Sequence, residues 1–136
     1  MAHWLMKSEP DAYGWDDLVA EGEGTWDGVR NHAAALHLKT MQIGDTAFFY
    51  HSNIGKEIVG IVTISATAFP DPTEPAGTRW VAVRVTPLRR VAMPVSLAVI
   101  KSTPALADMA MIRQSRLSVS PVRDTEWATI IAMAGE

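Results

Sequence analysis

Two runs of strand-forming residues, one on each side of a proline-rich stretch, set the tightest limit on how this chain folds. Ile58-Val59-Gly60-Ile61-Val62-Thr63-Ile64 is β-branched at nearly every position, and its length suits a strand better than a helix. In Trp80-Val81-Ala82-Val83-Arg84-Val85-Thr86 the three valines alternate with Ala82, Arg84 and Thr86, which puts the valines on one buried face. Between the runs, Phe69-Pro70-Asp71-Pro72-Thr73-Glu74-Pro75-Ala76-Gly77 holds three prolines and a glycine, and reads as a long hairpin loop. Thr46-Ala47-Phe48-Phe49-Tyr50 follows a Gly44-Asp45 turn as a further strand, and His3–Lys7 and Leu117–Ser120 are shorter ones. Five or six strands of this kind predict an α+β fold, a curved mixed sheet closing toward a barrel.

Helices are fewer and peripheral. At the C-terminus Asp124 is placed as an N-cap, Glu126 suits the positive end of the helix dipole, and Gly135 suits the position just past the end. Trp127, Ile130, Ile131 and Ala134 then form one apolar stripe. Further helices are expected from about Asn31 to Met41, from Trp15 to Glu21 with a stop at Gly22, and from Ser96 to a point before Pro104. At 136 residues, the chain reads as one domain spanning 1–136.

Composition excludes more than it identifies. With 48% hydrophobic and 20% charged residues a packed core is affordable, and disorder is not the default. No run approaches the roughly 20 apolar residues of a membrane helix, and Met1-Ala2-His3-Trp4 has no basic export signal, so a cytoplasmic protein without membrane contact is expected. Zero cysteines remove disulfides, thiolate nucleophiles and cysteine-type zinc or iron–sulfur sites. The net charge of −3 conceals an asymmetry. Residues 77–123 carry eight bases and one acid, whereas residues 1–76 carry four bases and eleven acids. Such a chain can turn a cationic face to a polyanion, or its arginines can pair with its own acidic half.

Familiar catalytic spacings are missing. His3, His32, His37 and His51 form no HxxxH or HExxH pair, and there is no GxGxxG, P-loop or GxSxG, so neither a metal nor a cofactor is expected. His51 and Ser52 are adjacent on an extended segment and point to opposite faces, which rules them out as a base–nucleophile pair. Three other segments are unusual for plain packing. Lys7-Ser8-Glu9-Pro10 ends a strand in a charged corner, with Lys7 and Glu9 on one face by strand period; on the chemistry alone a surface turn stopped by Pro10 accounts for it better. Trp26-Asp27-Gly28-Val29-Arg30-Asn31 sets a tight turn between a large aromatic and two planar polar side chains, which suits a flat heteroaromatic ligand. Trp26 as core and Asn31 as the cap of the next helix are just as open. Tyr50-His51-Ser52-Asn53 follows an apolar strand with polar and aromatic groups, as at a pocket mouth or in an ordinary turn.

Taken in order, Trp4-Leu5-Met6-Lys7-Ser8-Glu9-Pro10, Trp26-Asp27-Gly28-Val29-Arg30-Asn31 and Phe49-Tyr50-His51-Ser52 resemble the EVE domain, a PUA-like family that includes the thymocyte nuclear proteins. Pro94-Val95-Ser96-Leu97, Pro104–Met109, Arg116–Val119 and the Trp127 helix resemble its C-terminal half. The resemblance implies a PUA-like curved barrel related to YTH and ASCH domains. It also implies a non-enzymatic reader of nucleic acid that flips a modified base, above all a modified cytosine in DNA, into an aromatic pocket. RNA is the second choice of partner, and a monomer is expected. The positions carried over are Lys7, Ser8, Glu9, Trp26, Asp27, Gly28, Val29, Arg30, Asn31, Tyr50, His51 and Ser52. Arg89, Arg90, Arg113 and Arg116 are the expected phosphate contacts. Two alternatives stand beside this. One is an ASCH-like amidohydrolase of modified nucleosides using Lys7 and Glu9 as an acid–base pair; the other is a small-molecule or protein-interaction module.

Overall fold

Period-two alternation along the strands gives the chain two cores, one on each face of a single sheet. The computed structural model describes residues 2–136. In chain order the elements are β1 (His3–Ser8), α1 (Pro10–Tyr13), α2 (Trp15–Glu21), β2 (Gly24–Trp26), α3 (His32–Thr40), β3 (Thr46–His51), β4 (Glu57–Pro70) and β5 (Val81–Ser96). There follow α4 (Leu97–Ser102), a 3₁₀ turn (Pro104–Leu106), α5 (Ala110–Arg113), β6 (Val119–Val122) and α6 (Asp124–Met133). The six strands form one mixed sheet in the order β2-β5-β4-β3-β1-β6, with β1 and β3 parallel and the other pairs antiparallel. Trp4, Met6, Ala47, Phe49, Val62 and Val83 pack on one face with α2 and α3. Leu5, Phe48, Tyr50, Ile58 and Ile61 pack on the other with α4 and α6.

The sheet is curled but not closed. Trp26 of β2 and Phe49 of β3 are three strand spacings apart, about 14 Å in a flat sheet. Their ring centroids nevertheless lie 5.4 Å apart. The bend comes from β4 and β5, whose pairing slips register four times between Ile58 and Phe69, each slip adding local twist. No backbone ladder joins the edge strands β2 and β6, so the expected barrel is an open, strongly curved sheet.

β4 and β5 run well beyond the Ile58–Ile64 and Trp80–Thr86 segments that the pattern predicts. Pro87, Pro94 and the exposed Leu88-Arg89-Arg90 disguise the continuation of β5; Pro87 is tolerated because it pairs with Val62 beside a register slip. The proline-rich stretch is the connection between them, as expected. Short elements escaped the pattern altogether: β2, α1 and α5 are three or four residues each. At α6 the cap is Arg123, one residue before the expected Asp124; its backbone N–H donates to the buried Glu126 at 2.9 Å. Gly135 follows the helix at φ +76°, as predicted. Among the described residues no helix is long and apolar enough to cross a membrane.

Candidate functional site

The turn after β2 is shaped by an acid 43 residues away. Asp71, in the β4–β5 connection, is 1% exposed. It accepts from Gly28 N at 2.8 Å, Arg30 Nη1 at 2.9 Å, Thr73 N at 2.7 Å and Thr73 Oγ1 at 2.6 Å. Burial alone raises a carboxyl pKa; here the bonds from Thr73, Arg30 and Gly28 outweigh it and hold Asp71 down at about 2. Gly28 sits at φ +73°, a conformation a side chain resists, so the Asp-Gly pair is needed for the turn itself. Asn31 does cap α3, with its side-chain oxygen accepting from Ala34 N at 3.0 Å. The Gly28 amide and the Asn31 oxygen, at two of the positions carried over as site residues, are thus engaged within the fold.

The curl of the sheet brings β1, β2 and the segment before β6 around one cavity of about 580 Å³. Lys7, Ser8 and Trp26 through Arg30 line it. So do Tyr13, Glu21, Glu23 and Thr25, which the sequence reading did not select. Trp26 is only 6% exposed, held edge-on by Phe49 at 5.4 Å and by Tyr13 at 6.4 Å. The indole is therefore a wall of the cavity rather than an open stacking platform. Tyr13 donates its hydroxyl to Glu21; burial first, then that bond, push the phenol pKa well up. Gly24 makes room for this ring, since a Cβ there would lie 2.3 Å from the Tyr13 hydroxyl. Of the three carboxylates, Glu21 accepts from Tyr13 and Glu23 accepts from Ser65 Oγ at 2.7 Å. Asp27 accepts from no other side chain among the described residues. Burial first, then the charge of Asp71, raise its pKa.

The remaining expected residues are dispersed. Tyr50 and Ser52 line a second cavity, of about 240 Å³, which shares Lys7 with the first. Lys7 donates to Ser115 O at 3.0 Å, and burial lowers its pKa. Glu9 lies beyond the end of β1 and accepts instead from Asn53 Nδ2 at 2.9 Å, so the two do not form the acid–base pair that strand period suggested. His51 accepts the Trp15 N–H at 3.1 Å and anchors the start of α2; burial first, then Arg90, lower its pKa, as suits a neutral acceptor. A third cavity of about 340 Å³ is lined by Asn31, Arg113, Ser115 and Arg116, among others.

The four expected phosphate contacts split in two. Arg89 and Arg90 leave β5 to pair with Glu136 and Asp16 and line none of these cavities. Arg113 pairs with Asp108, and Arg116 makes no ion pair among the described residues. Part of the basic segment thus neutralises acids of the same chain, and part remains free.

The profile of the EVE domain family matches residues 2–133. Thymocyte nuclear protein 1 of Homo sapiens is 32% identical, covering 97% of this chain and 73% of its own length. Rpa0253 from Rhodopseudomonas palustris superposes with a TM-score of 0.93 at 50% identity, over 99% of this chain and 94% of its own. The human THYN1 protein in complex with 5-methylcytosine-containing DNA superposes with a TM-score of 0.89 at 30% identity, over 100% of this chain and 99% of its own. An ASCH protein from Zymomonas mobilis shares the fold alone, at a TM-score of 0.60, 10% identity and coverage of 98% and 99%.

Proposed function

This chain belongs to the EVE domain family, and from that premise we propose that it reads modified cytosine in DNA by drawing the base into the cavity beside Trp26. The observation that carries this reading is the 580 Å³ cavity, which joins an aromatic wall to an unoccupied carboxylate acceptor and a half-buried ammonium. The likeness to a protein solved with 5-methylcytosine DNA supports it across the whole chain. Cytosine presents an N4 amino donor where thymine presents an oxygen, and a carboxylate is the side chain that accepts from that donor. Asp27 takes this role. Lys7, which lines the same cavity, is the cation for the base acceptors. Trp26 and Tyr13 provide apolar surface for the ring and its modification.

Extruding a base costs a few kcal/mol, and one open aromatic returns about 1–3 kcal/mol by stacking. With the indole mostly covered by Phe49 and Tyr13, the return is at the low end. Phosphate contacts must supply the balance. Arg116 and Arg113, on the third cavity, are the side chains for this, with DNA as the partner and a monomer as the binding unit. The reaction-free reading is favoured over the amidohydrolase because Lys7 and Glu9 face different partners.

The test is a set of duplexes identical except at one position, which carries 5-methylcytosine, cytosine or thymine, titrated by fluorescence anisotropy. The 5-methylcytosine duplex should bind tightest and the thymine duplex weakest. Asp27→Asn should erase about 1–3 kcal/mol of the cytosine-over-thymine preference. Equal affinity for all three duplexes would overturn the reading.

A further inference from the structure

The base-reading proposal makes no use of the second cavity. At about 240 Å³ it is smaller than the roughly 300–1,000 Å³ typical of ligand pockets, so its occupant is small. Lys7, Lys56 and Lys101 line it, and no carboxylate does. None of the three lysines makes an ion pair among the described residues. Tyr50, Leu97 and Met111 add apolar surface from the second core. This combination suits an anion that carries a small apolar or planar group, because the charge meets ammonium groups while the rest is desolvated.

The loop bearing Lys56 is held in an unusual shape. Asn53, Gly55 and Lys56 lie at φ 65°, 86° and 49°, the left-handed region that residues with side chains rarely occupy. The Lys56 carbonyl accepts from Leu97 N at 2.8 Å, which fixes the loop to the start of α4. Asn53 is fixed from the other side by Glu9. Non-glycine residues persist in this region only where their surroundings over-determine them, and such positions gather at ligand sites. Here they deliver a lysine to the rim of a cavity that has no acid of its own.

We propose that the second cavity is a binding site for a phosphate ester, filled by the nucleotide that flanks the extruded base. Lys7 stands in the wall between the two cavities, so a strand with its base in the first reaches the second without leaving the surface. Only the identification of the ester with a DNA strand rests on the base-reading proposal; a free nucleotide has the same chemistry.

The experiment is an NMR titration of the full chain, following the Met111 and Leu97 methyls for the second cavity and the Trp26 indole N–H for the first. The probes are deoxycytidine 5′-monophosphate and the 5-methylcytosine duplex. The duplex should move both sets of signals. Replacing two exposed lysines together (Lys56→Gln with Lys101→Gln) should remove the methyl shifts, keep the Trp26 shift, and lower the salt dependence of duplex binding by about one contact per lysine. Methyl shifts with the mononucleotide alone would keep the phosphate-ester site and overturn the flanking nucleotide as its source. Methyl shifts with a silent Trp26 would keep the site and count against base reading. Methyls that stay still with both probes, or that move equally in the double variant, would overturn the proposal.

Discussion

Two charged regions of the molecule are built on opposite terms. Around Asp71, one buried carboxylate accepts from two backbone amides, one guanidinium and one hydroxyl. Around the second cavity, three lysines approach one hollow with no carboxylate in its lining. A satisfied buried network fixes geometry and has little left to offer a ligand. Unpaired cations at a cavity rim do little for stability and remain available for an anion. The contrast separates residues that shape the site from residues able to bind at it, and motif membership alone does not make that separation.

The sharpest way to break this contrast is Asp71→Ala. It leaves the Gly28 amide and Arg30 without their acceptor, and urea unfolding should register a loss of about 3 kcal/mol. A loss below about 0.5 kcal/mol would reduce Asp71 to an ordinary loop residue. Acid should produce a related effect. Because the Asp71 pKa is depressed from 3.8 to about 2 in the fold, its stabilising contribution is complete above pH 4 and lost as pH falls through 2. That contribution is about 2 kcal/mol, and Asp71→Asn should flatten this part of the pH–stability curve. An unchanged curve in the variant would assign acid sensitivity to other carboxylates.

Gly24→Ala probes the cavity wall rather than its scaffold. The new methyl collides with the far end of the Tyr13 ring and with Leu18, so stability should fall by about 1 kcal/mol while affinity for the 5-methylcytosine duplex drops. Unaltered binding in a folded variant would exclude Tyr13 from the site. The smallest effect concerns the arginines. Arg116→Gln should lower the salt slope of DNA binding by about one, and Arg89→Gln, which loses only the partner of Glu136, should leave it unchanged. The reverse order would move the phosphate track from the third cavity to β5.

Much of the architecture was legible in local pattern. The alternation in Val81-Ala82-Val83-Arg84-Val85 foretells a strand whose valines face one core, and Val83 and Val85 are fully buried there. Asn31 and Gly135 mark helix ends through chemistry confined to a few neighbouring residues. Sequence reading stopped where pairing overrode local preference. Pro87 and Pro94 argue against a strand, yet β5 passes through both because its partner β4 slips register around them. At the site, the turn at Asp27-Gly28 was visible, but its acceptor was not, since nothing in Pro70-Asp71-Pro72 distinguishes that aspartate from any loop acid. Tyr13, Lys56 and Lys101 escaped for the same reason: each is unremarkable among its neighbours in the chain.

By itself, then, the sequence determined the strand and helix inventory, the hairpin loop, the family likeness and the uneven charge, all of which depend on periodicities and caps that act within a few residues. Tertiary structure alone decided which of the marked residues meet. Curling of the sheet placed β1 and β2 on one cavity, a carboxylate 43 residues distant took up the Gly28 amide, and the arginines divided into paired and free. Those outcomes depend on contacts between segments far apart in the chain, and a contact of that kind leaves no periodic trace in either segment.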